Sequence, residues 1–485
     1  MNKKELIEMK LSKIKSRIIR LHKLNKIENC LALISVYCDL QYRFNQVYSD
    51  ADIELLVSEL SKEMLKSTIN YKSKRDTVLF YDGFGLDLRG WAVTYVKALN
   101  VLGYKVIYIT SSKSKDRIPH IIDELGENNI VEYINTRESY MTWINDLFKL
   151  FLNYQPKSAF FYTTPNDVAG ALVFNRFKDL VTRIQIDLTD HAFWLGINSV
   201  DYFLESRELG ASLAIYERHV DKNSIIKIDS APYINRDKYT EPLPFDIEST
   251  PYIFTGGSLY KTLGDEYHLY YKIVDSLLTE FTDLFYLYAG SGDNTEIDKI
   301  LKKYPNRAFL IGERPDFFRL IENSVFYLNS YPMFGGLMMR FAALAKKVPL
   351  TLKHEHDADG ILENQNLLNI EFENIDDLLV EARKLITNNE YRESQGLRVI
   401  NNVITDEIFA RNIYKIIEEQ QSEYSFETIN KIDTSEFQKE YVERFDLNDF
   451  YKVLVSKINK GLMYEMPVQF FKGYFIKLKE RRTMR

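Results

Sequence analysis

The sequence predicts an α/β protein in which two parallel-sheet domains are flanked by an N-terminal helical extension and a helical C-terminal tail. Three observations predict this fold class. Short apolar runs alternate with helical segments twice along the chain, as in successive βαβ units. A polar, proline-bearing stretch at 235–250 separates the two series. Glycine turns follow several of the apolar runs, at the points where a parallel strand ends and a helix begins.

The chain has 485 residues, which is enough for two or three domains. We predict a helical extension at 1–74, a first α/β domain at 75–240, a second at 241–410 and a helical tail at 411–485. The net charge of −6 argues against a general nucleic-acid binder. Two cysteines, the lack of a secretory leader pattern and the lack of a membrane-spanning apolar run indicate a cytoplasmic protein.

Both ends of the chain mix basic and apolar side chains. In the extension, apolar residues recur at helical spacing from Leu6 to Leu21, and lysines and arginines occupy the other faces. In the tail, aromatic residues between Phe470 and Phe475 alternate with basic ones. Either helix is suited to an anionic membrane surface, and the alternative is a helix packed on the neighbouring domain. A peripheral position on the inner face of the cell membrane is therefore one expectation.

The first α/β domain opens with a strand at 77–81 and the glycine-rich loop DGFGLDLRG at 82–90. Ligands of open α/β sheets bind at the carboxyl ends of the strands, so this loop is a candidate ligand site. Its spacing is not GxGxxG, and no acidic residue directly follows the next strand, which argues against a nicotinamide dinucleotide. The candidate residues of the loop are Gly83, Gly85, Arg89 and Gly90.

A histidine follows the strand predicted at 182–188, in the sequence Thr189-Asp190-His191. Imidazole exchanges a proton near neutral pH, so His191 is a candidate general base. Asp190 or Asp187 is the candidate carboxylate that orients it. The alternative interpretation is a hydrogen-bonded structural histidine.

The second domain contains three glycine turns, in FTGGSLYK (254–261), YAGSGD (288–293) and NSYPMFGG (329–336). Unpaired backbone N–H groups and the helix dipole at such turns favour a phosphate, although one such turn alone also fits simple packing. Lys261 is either a point charge for that phosphate or a surface lysine. The candidate binding residues are Gly256, Gly257, Ser258, Lys261, Gly290, Gly292, Glu313, Arg314, Tyr331, Gly335, Gly336 and Leu337.

Two α/β halves with these turns in the second resemble a GT-B glycosyltransferase over roughly residues 76–410. The motifs that carry the resemblance are FTGGSLYK, YAGSGDN, the stretch 309–349 and NNEYRESQGLRV (388–399). DGFGLDLRGWAVTYVKAL looks like bacterial surface-polysaccharide or protein glycosyltransferases. The resemblance implies two Rossmann-like domains, with the second binding a nucleotide-sugar, expected to be UDP-linked. It implies that the first holds a glycan, lipid-linked or protein acceptor, and that no cofactor is needed beyond the nucleotide-sugar substrate.

The resemblance also implies residue roles. His191 would take the acceptor proton with Asp190 as its orienter, and the loop at 82–90 would lie on the acceptor side. Gly335, Gly336 and the following helix would stabilise the leaving diphosphate, so that no metal is required. Glu313 and Arg314 would lie near the nucleotide base.

Departures from the family pattern define the alternatives. Retaining relatives usually carry glutamates near the positions of Phe334 and Ala342, and Arg340 lies on the same helix. The turn is more similar to inverting enzymes, and the missing carboxylates also fit a catalytically silent partner subunit that binds acceptor protein. A nucleotide-sugar epimerase on a similar scaffold is a third interpretation. The loop with His354, His356, Asp357 and Asp359 matches no compact zinc pattern, so we predict no metal there.

Overall fold

The computed structural model describes residues 2–483 except 89, 230, 235–240, 264, 354–361, 363, 364 and 457. It divides into two compact units, of which the first comprises Met1–Ile228 with Glu407–Arg485 and the second Asp229–Asp406. Each unit contains a parallel sheet flanked by helices, which confirms the predicted α/β fold class. The four-segment division stays a prediction. The structure adds that both terminal helical segments belong to the same unit as the first sheet.

Three helices precede the first sheet. They are α1 (Lys3–Lys23), α2 (Ile27–Phe44) and α3 (Ala51–Met64). Five apolar residues of α1 have at most 4% of their surface exposed, because α1 packs on α2 and the core of the first unit; they are Ile7, Leu11, Ile14, Ile18 and Leu21. The protein itself thus covers the face of α1 that a membrane would bind, and α1 packs as the alternative interpretation expects.

Seven parallel strands form the first sheet. They are β1 (Lys74–Asp82), β2 (Lys105–Ser111), β3 (Ile130–Ile134), β4 (Pro156–Tyr162), β5 (Thr182–Ile186), β6 (Tyr202–Glu205) and β7 (Ile225–Lys227). Their order is β3-β2-β1-β4-β5-β6-β7, so the direction of winding reverses between β1 and β4. Such a switch point opens a crevice at the carboxyl ends of the strands. The helices between these strands are α4 (Ala92–Val101), α5 (Pro119–Leu125), α6 (Tyr140–Tyr154), α7 (Val168–Arg176) and α8 (Glu208–Tyr216).

The second unit repeats this topology with six parallel strands. They are β8 (Tyr252–Gly256), β9 (Phe285–Ala289), β10 (Ala308–Leu310), β11 (Phe326–Leu328), β12 (Pro349–Leu352) and β13 (Glu371–Phe372). Their order is β10-β9-β8-β11-β12-β13, with the switch point between β8 and β11. The helices are α9 (Leu269–Glu280), α10 (Ile297–Lys303), α11 (Phe317–Asn323), α12 (Gly336–Leu344), α13 (Ile375–Thr387) and α14 (Asn389–Ile400). Both sheets therefore have a Rossmann-like strand order, as the resemblance to GT-B enzymes implies.

Five further helices follow α14 within the described residues. They are α15 (Asp406–Glu419), α16 (Ser435–Arg444), α17 (Asp449–Lys452), α18 (Leu462–Glu465) and α19 (Pro467–Thr483). Phe450, Leu454 and Leu462 are buried in the core that α1 and α2 also form, so this segment packs on the N-terminal helices. By contrast, α19 leaves Phe471 and Phe475 exposed. In the described part of the chain, no helix combines the length and apolarity needed to cross a bilayer.

Candidate functional site

The first two glycine turns of the second unit form one interlocked surface. They follow β8 and β9, which are adjacent in the sheet. The Gly257 N–H donates to the Ala289 carbonyl at 3.0 Å, and the Leu259 N–H donates to the Ser291 carbonyl at 3.0 Å. A Cβ on Gly290 would lie 1.8 Å from the Gly257 carbonyl oxygen, so only glycine allows this approach.

The third turn, after β11, joins the same surface from the other side of β8. The Tyr327 hydroxyl donates to the Gly256 carbonyl at 3.2 Å. The Met333 N–H donates to the Lys261 carbonyl at 3.1 Å, and Lys261 Nζ donates to the Phe334 carbonyl at 3.3 Å. The three turns predicted from glycine spacing are therefore brought together at the switch point of the sheet.

Helix α12 begins in this third turn. The Gly335 N–H donates to Asn329 Oδ1 at 3.2 Å, which fixes the loop at the start of the helix. Gly336 is the first helical residue, and the N–H groups of a first helical turn have no intrahelical acceptor. Tyr331 and Leu337 are half-buried against the apolar core at the same end of the helix. This arrangement can stabilise an anion by backbone donors and the helix dipole.

Glu313 and Arg314, which follow β10, differ in their surroundings. Glu313 accepts a hydrogen bond from Ser291 Oγ at 2.9 Å and so reaches the turn after β9. Arg314 is buried and makes a bidentate pair with Asp316, with both distances at 2.8 Å. The guanidinium group of Arg314 is thus bound to another side chain of the protein. Contact of Glu313 or Arg314 with a nucleotide base stays a prediction.

In the first unit, His191 follows β5 and has 37% of its side chain exposed. Its Nδ1 lies 3.4 Å from Asp190 Oδ1. Asp187 instead accepts from the Trp194 Nε1–H at 2.8 Å and from the Thr189 N–H at 3.0 Å. Of the two predicted orienting carboxylates, the one placed beside the imidazole is therefore Asp190.

Asp190 has a second and closer partner, Arg207, which sequence reasoning missed. Arg207 Nε lies 2.6 Å from Asp190 Oδ2, and Nη2 lies 2.7 Å from Oδ1. Burial alone would raise the pKa of Asp190, but the charge and hydrogen bonds of Arg207, assisted by His191, hold that pKa well below its usual value. Asp190 is thus a fixed anion next to the imidazole. The available signal was the position of Arg207 just after β6, at the same edge of the sheet.

Glu205 is the second missed residue of this cluster. It is fully buried, and within the described part of the chain neither carboxylate oxygen has a hydrogen-bond partner. Burial, reinforced by the nearby charges of Asp187 and Asp190, raises the pKa of Glu205 well above its usual value. Asp190 and Glu205 lie close together in space, and their pKa values are shifted in opposite directions. Such pairs are typical of functional sites and also occur in structural networks of buried charges.

The loop after β1 is shaped around Asp82. Its Oδ1 accepts from the Phe84 N–H at 2.8 Å and from the Gly85 N–H at 2.9 Å. Gly85 has a φ of +59°, and a Cβ there would lie 1.9 Å from Ser114 Oγ. At Gly83 and Gly90 an added Cβ would approach the carboxyl end of β4 and its following turn. Close packing therefore explains why glycine occupies these three positions. Their role on the acceptor side stays a prediction. Arg89 lies outside the described residues.

Metal ligands are not found among the described residues, where no group of three or more His, Cys, Asp and Glu side chains could hold an ion. The loop with His354, His356, Asp357 and Asp359 lies outside those residues. The candidate site therefore consists of the three glycine turns in the second unit and, in the first unit, of His191 with Asp187, Asp190, Glu205 and Arg207.

No protein-family model and no curated protein sequence matches this chain. Solved structures do match. A putative UDP-N-acetylglucosamine 2-epimerase from Listeria monocytogenes aligns with a TM-score of 0.52 at 13% identity over 72% of this chain and 97% of that one. A glycosyltransferase from Rickettsia africae aligns with a TM-score of 0.51 at 14% identity over 72% and 100%. Anabaena HepE in complex with UDP and glucose aligns with a TM-score of 0.51 at 10% identity over 70% and 99%.

These likenesses show the architecture. The chain has the two-domain GT-B fold that its sequence motifs predict, with helical segments added at both ends. At sequence identities of 10–14%, structural similarity shows the fold but not the activity, which depends on the residues of the site.

Proposed function

We propose that the protein is a metal-independent GT-B glycosyltransferase of bacterial cell-surface glycan synthesis. It transfers a hexosyl unit from a UDP-linked donor to a glycan, lipid-linked or protein acceptor. The observation that carries the proposal is the set of three interlocked glycine turns at the ends of β9, β8 and β11. UDP in the Anabaena HepE structure supports uridine diphosphate as the leaving group.

The second unit would hold the donor. Backbone N–H groups of Gly336 and the first turn of α12 would face the diphosphate, where their dipoles offset the charge that develops as it leaves. Gly335, whose N–H is bound to Asn329, would hold the turn in place beside it. Lys261 would add a positive charge from the neighbouring turn. Gly256, Gly257 and Ser258, with Gly290 and Gly292, would let the backbone approach the ribose and phosphates closely.

The first unit would hold the acceptor and the base. In an inverting reaction, the acceptor hydroxyl oxygen attacks the anomeric carbon while the bond to the diphosphate breaks on the opposite face. His191 would accept the hydroxyl proton through Nε2, because its Nδ1 faces Asp190. Asp190, held as an anion by Arg207, would favour the protonated imidazole that forms.

A second candidate function is a non-catalytic subunit that binds acceptor protein. It is favoured by Phe334 and Ala342, which occupy the positions nearest to the carboxylates of retaining relatives. Such a subunit would still bind UDP through the glycine turns but would not turn over a donor.

The test is a donor screen with purified full-length protein. UDP binding is measured by calorimetry, and UDP-linked hexoses and N-acetylhexosamines are followed by mass spectrometry with and without a mixture of glycan acceptors. We expect UDP binding and consumption of at least one donor. UDP binding without turnover of any donor would support the silent subunit. Interconversion of UDP-N-acetylglucosamine without acceptor would identify an epimerase, and a lack of UDP binding would contradict all three.

A peripheral membrane position belongs to the same proposal and rests on α19. Exposed Phe471 and Phe475 stand beside Lys472 and Lys479 on this helix, a composition that suits an anionic bilayer surface. We expect the protein to float with vesicles containing phosphatidylglycerol and to lose flotation in the double variant Phe471→Ser/Phe475→Ser. The matched control is Tyr414→Ser, which removes an exposed aromatic side chain from α15. Equal flotation with neutral vesicles, or none with anionic ones, would overturn the membrane proposal.

A further inference from the structure

A polar cavity of about 260 Å³ lies in the first unit, at the carboxyl ends of β1 to β4. This is the switch point of the first sheet, where open α/β sheets bind ligands. The cavity is smaller than the 300–1,000 Å³ typical of sites for drug-sized ligands, so it suits one small ring rather than a nucleotide.

The floor of the cavity is rigid because its polar side chains are fixed by hydrogen bonds. Asp167 Oδ2 accepts from the Tyr81 hydroxyl at 2.7 Å, and its Oδ1 accepts from the Gly170 N–H at 2.8 Å. Thr136 and Ser111 hydroxyls lie 2.8 Å apart. A preorganised lining loses little entropy when a ligand binds.

The roof comes from segments outside the region that resembles GT-B enzymes. Ser35 and Asp39 reach the cavity from α2, while Ser456 and Asn459 reach it from the segment between α17 and α18. The Asn166 amide donates to Ser35 Oγ at 3.3 Å, which connects the floor to the roof. The terminal helical segments therefore complete an enclosure that the α/β core alone lacks.

The chemistry of the lining selects a class of ligand. Three acidic side chains, Asp39, Asp82 and Asp167, line the cavity together with one lysine, Lys113, so phosphates and uronic acids are disfavoured. Burial raises the pKa of all three acids, to about 6 for Asp82, so whether they are ionised or protonated they offer acceptors or donors to hydroxyl groups. Hydroxyl, amide and carboxylate groups match the hydroxyls of a sugar ring.

Aromatic side chains supply the apolar part of the wall. Trp143 and Tyr140 stack with their ring centroids 6.1 Å apart and their planes 15° apart. The Trp143 Nε1–H donates to the Tyr81 hydroxyl at 3.2 Å, which fixes the indole. A sugar presents C–H groups that pack on such surfaces while its hydroxyls find polar partners.

We propose that this cavity, roofed by α2 and the C-terminal segment, binds one uncharged or amine-bearing monosaccharide unit of a glycan. The inference names the ligand of the first unit and deepens the proposed function. It does not require catalysis, because a silent binding subunit would use the same cavity. Its test therefore measures binding directly, without a donor.

The experiment titrates full-length protein with methyl glycosides of glucose, galactose, N-acetylglucosamine and glucosamine, using saturation-transfer NMR and calorimetry. Methyl glucuronide and inorganic phosphate are the anionic comparisons. We expect at least one neutral or amine-bearing glycoside to bind and both anions to bind more weakly. The near-isosteric variants Asn166→Leu and Thr136→Val each remove hydrogen-bonding atoms and should weaken binding by about tenfold.

The control variant is Asn389→Leu, at an exposed position in the second unit, which should bind the glycoside as the parent does. Thermal unfolding identifies a variant that fails to fold, in which case the other variant decides. The proposal is overturned by any of three results: no glycoside binds at millimolar concentration, the anions bind as tightly as the glycosides, or the folded variants retain full affinity. UDP binding in the same samples reports the donor site separately, so the two proposals fail independently.

Discussion

Replacing His191 with asparagine is expected to lower the rate of sugar transfer by a factor of about 10²–10⁴, the usual contribution of a positioned general base. UDP affinity should be unchanged, because the glycine turns that would hold UDP belong to the other compact unit. Steady-state transfer assays with the donor found in the screen measure the first quantity, and calorimetry measures the second.

The control for this variant is His219→Asn. His219 is exposed and has a φ of +59°, a backbone conformation that asparagine tolerates better than most residues. Its replacement should leave transfer within about twofold of the parent, as surface substitutions usually do. A transfer rate of His191→Asn close to that of the parent would contradict the role of His191 as the general base. Loss of UDP binding in that variant would indicate that His191 has a structural role.

Replacing Arg340 with methionine is expected to destabilise the second unit by about 3–5 kcal/mol, the usual cost of leaving one member of a buried ion pair alone. Arg340 Nη2 lies 2.9 Å from Asp229 Oδ1, and the two side chains have 5% and 7% of their surface exposed. Chemical denaturation of the full-length protein, followed by a probe in the second unit, measures the loss.

Two comparisons isolate the pair. The double variant Arg340→Met/Asp229→Asn should recover much of the stability, because no buried charge of the pair remains. Arg319→Met removes the exposed pair with Glu248, whose atoms are 3.2 Å apart, and should cost less than about 1 kcal/mol. If Arg340→Met loses transfer activity at unchanged stability, Arg340 acts in the reaction rather than in the fold.

Local sequence signals were sufficient for most of the fold. Apolar runs bounded by turn residues marked the strands from β1 to β12, because buried parallel strands are continuous hydrophobic segments. The two-residue strand β13 is too short to give such a signal. Helix α6 was missed although Tyr140, Ile144 and Leu147 recur at helical spacing and are buried.

The sequence predicted the parts of the site that follow successive strands, because such strands usually lie side by side in the sheet. Glycine turns on successive strands were expected to share an edge, and the turns after β8 and β9 do. Pairs distant in sequence were not foreseen: Arg207 and Asp190 are 17 residues apart, and Arg340 and Asp229 are 111 apart. The position of Arg207 just after β6 indicated the sheet edge but not its partner, and the pairing of Arg340 with Asp229 depends on tertiary packing alone.

The division of the chain has a consequence for the order in which the protein folds during synthesis. The first compact unit is interrupted by the whole of Asp229–Asp406, and its core includes Phe450, Leu454 and Leu462. The ribosome releases the second unit complete before those residues are made, so the second unit can reach its native state first. The core of the N-terminal helices and first sheet stays incomplete, with part of its apolar surface uncovered, until the segment that carries Phe450 to Leu462 emerges. Completion of this core therefore follows synthesis of the second unit, and we expect chaperones that bind exposed apolar surface to have longer access to the N-terminal segment than to the second unit.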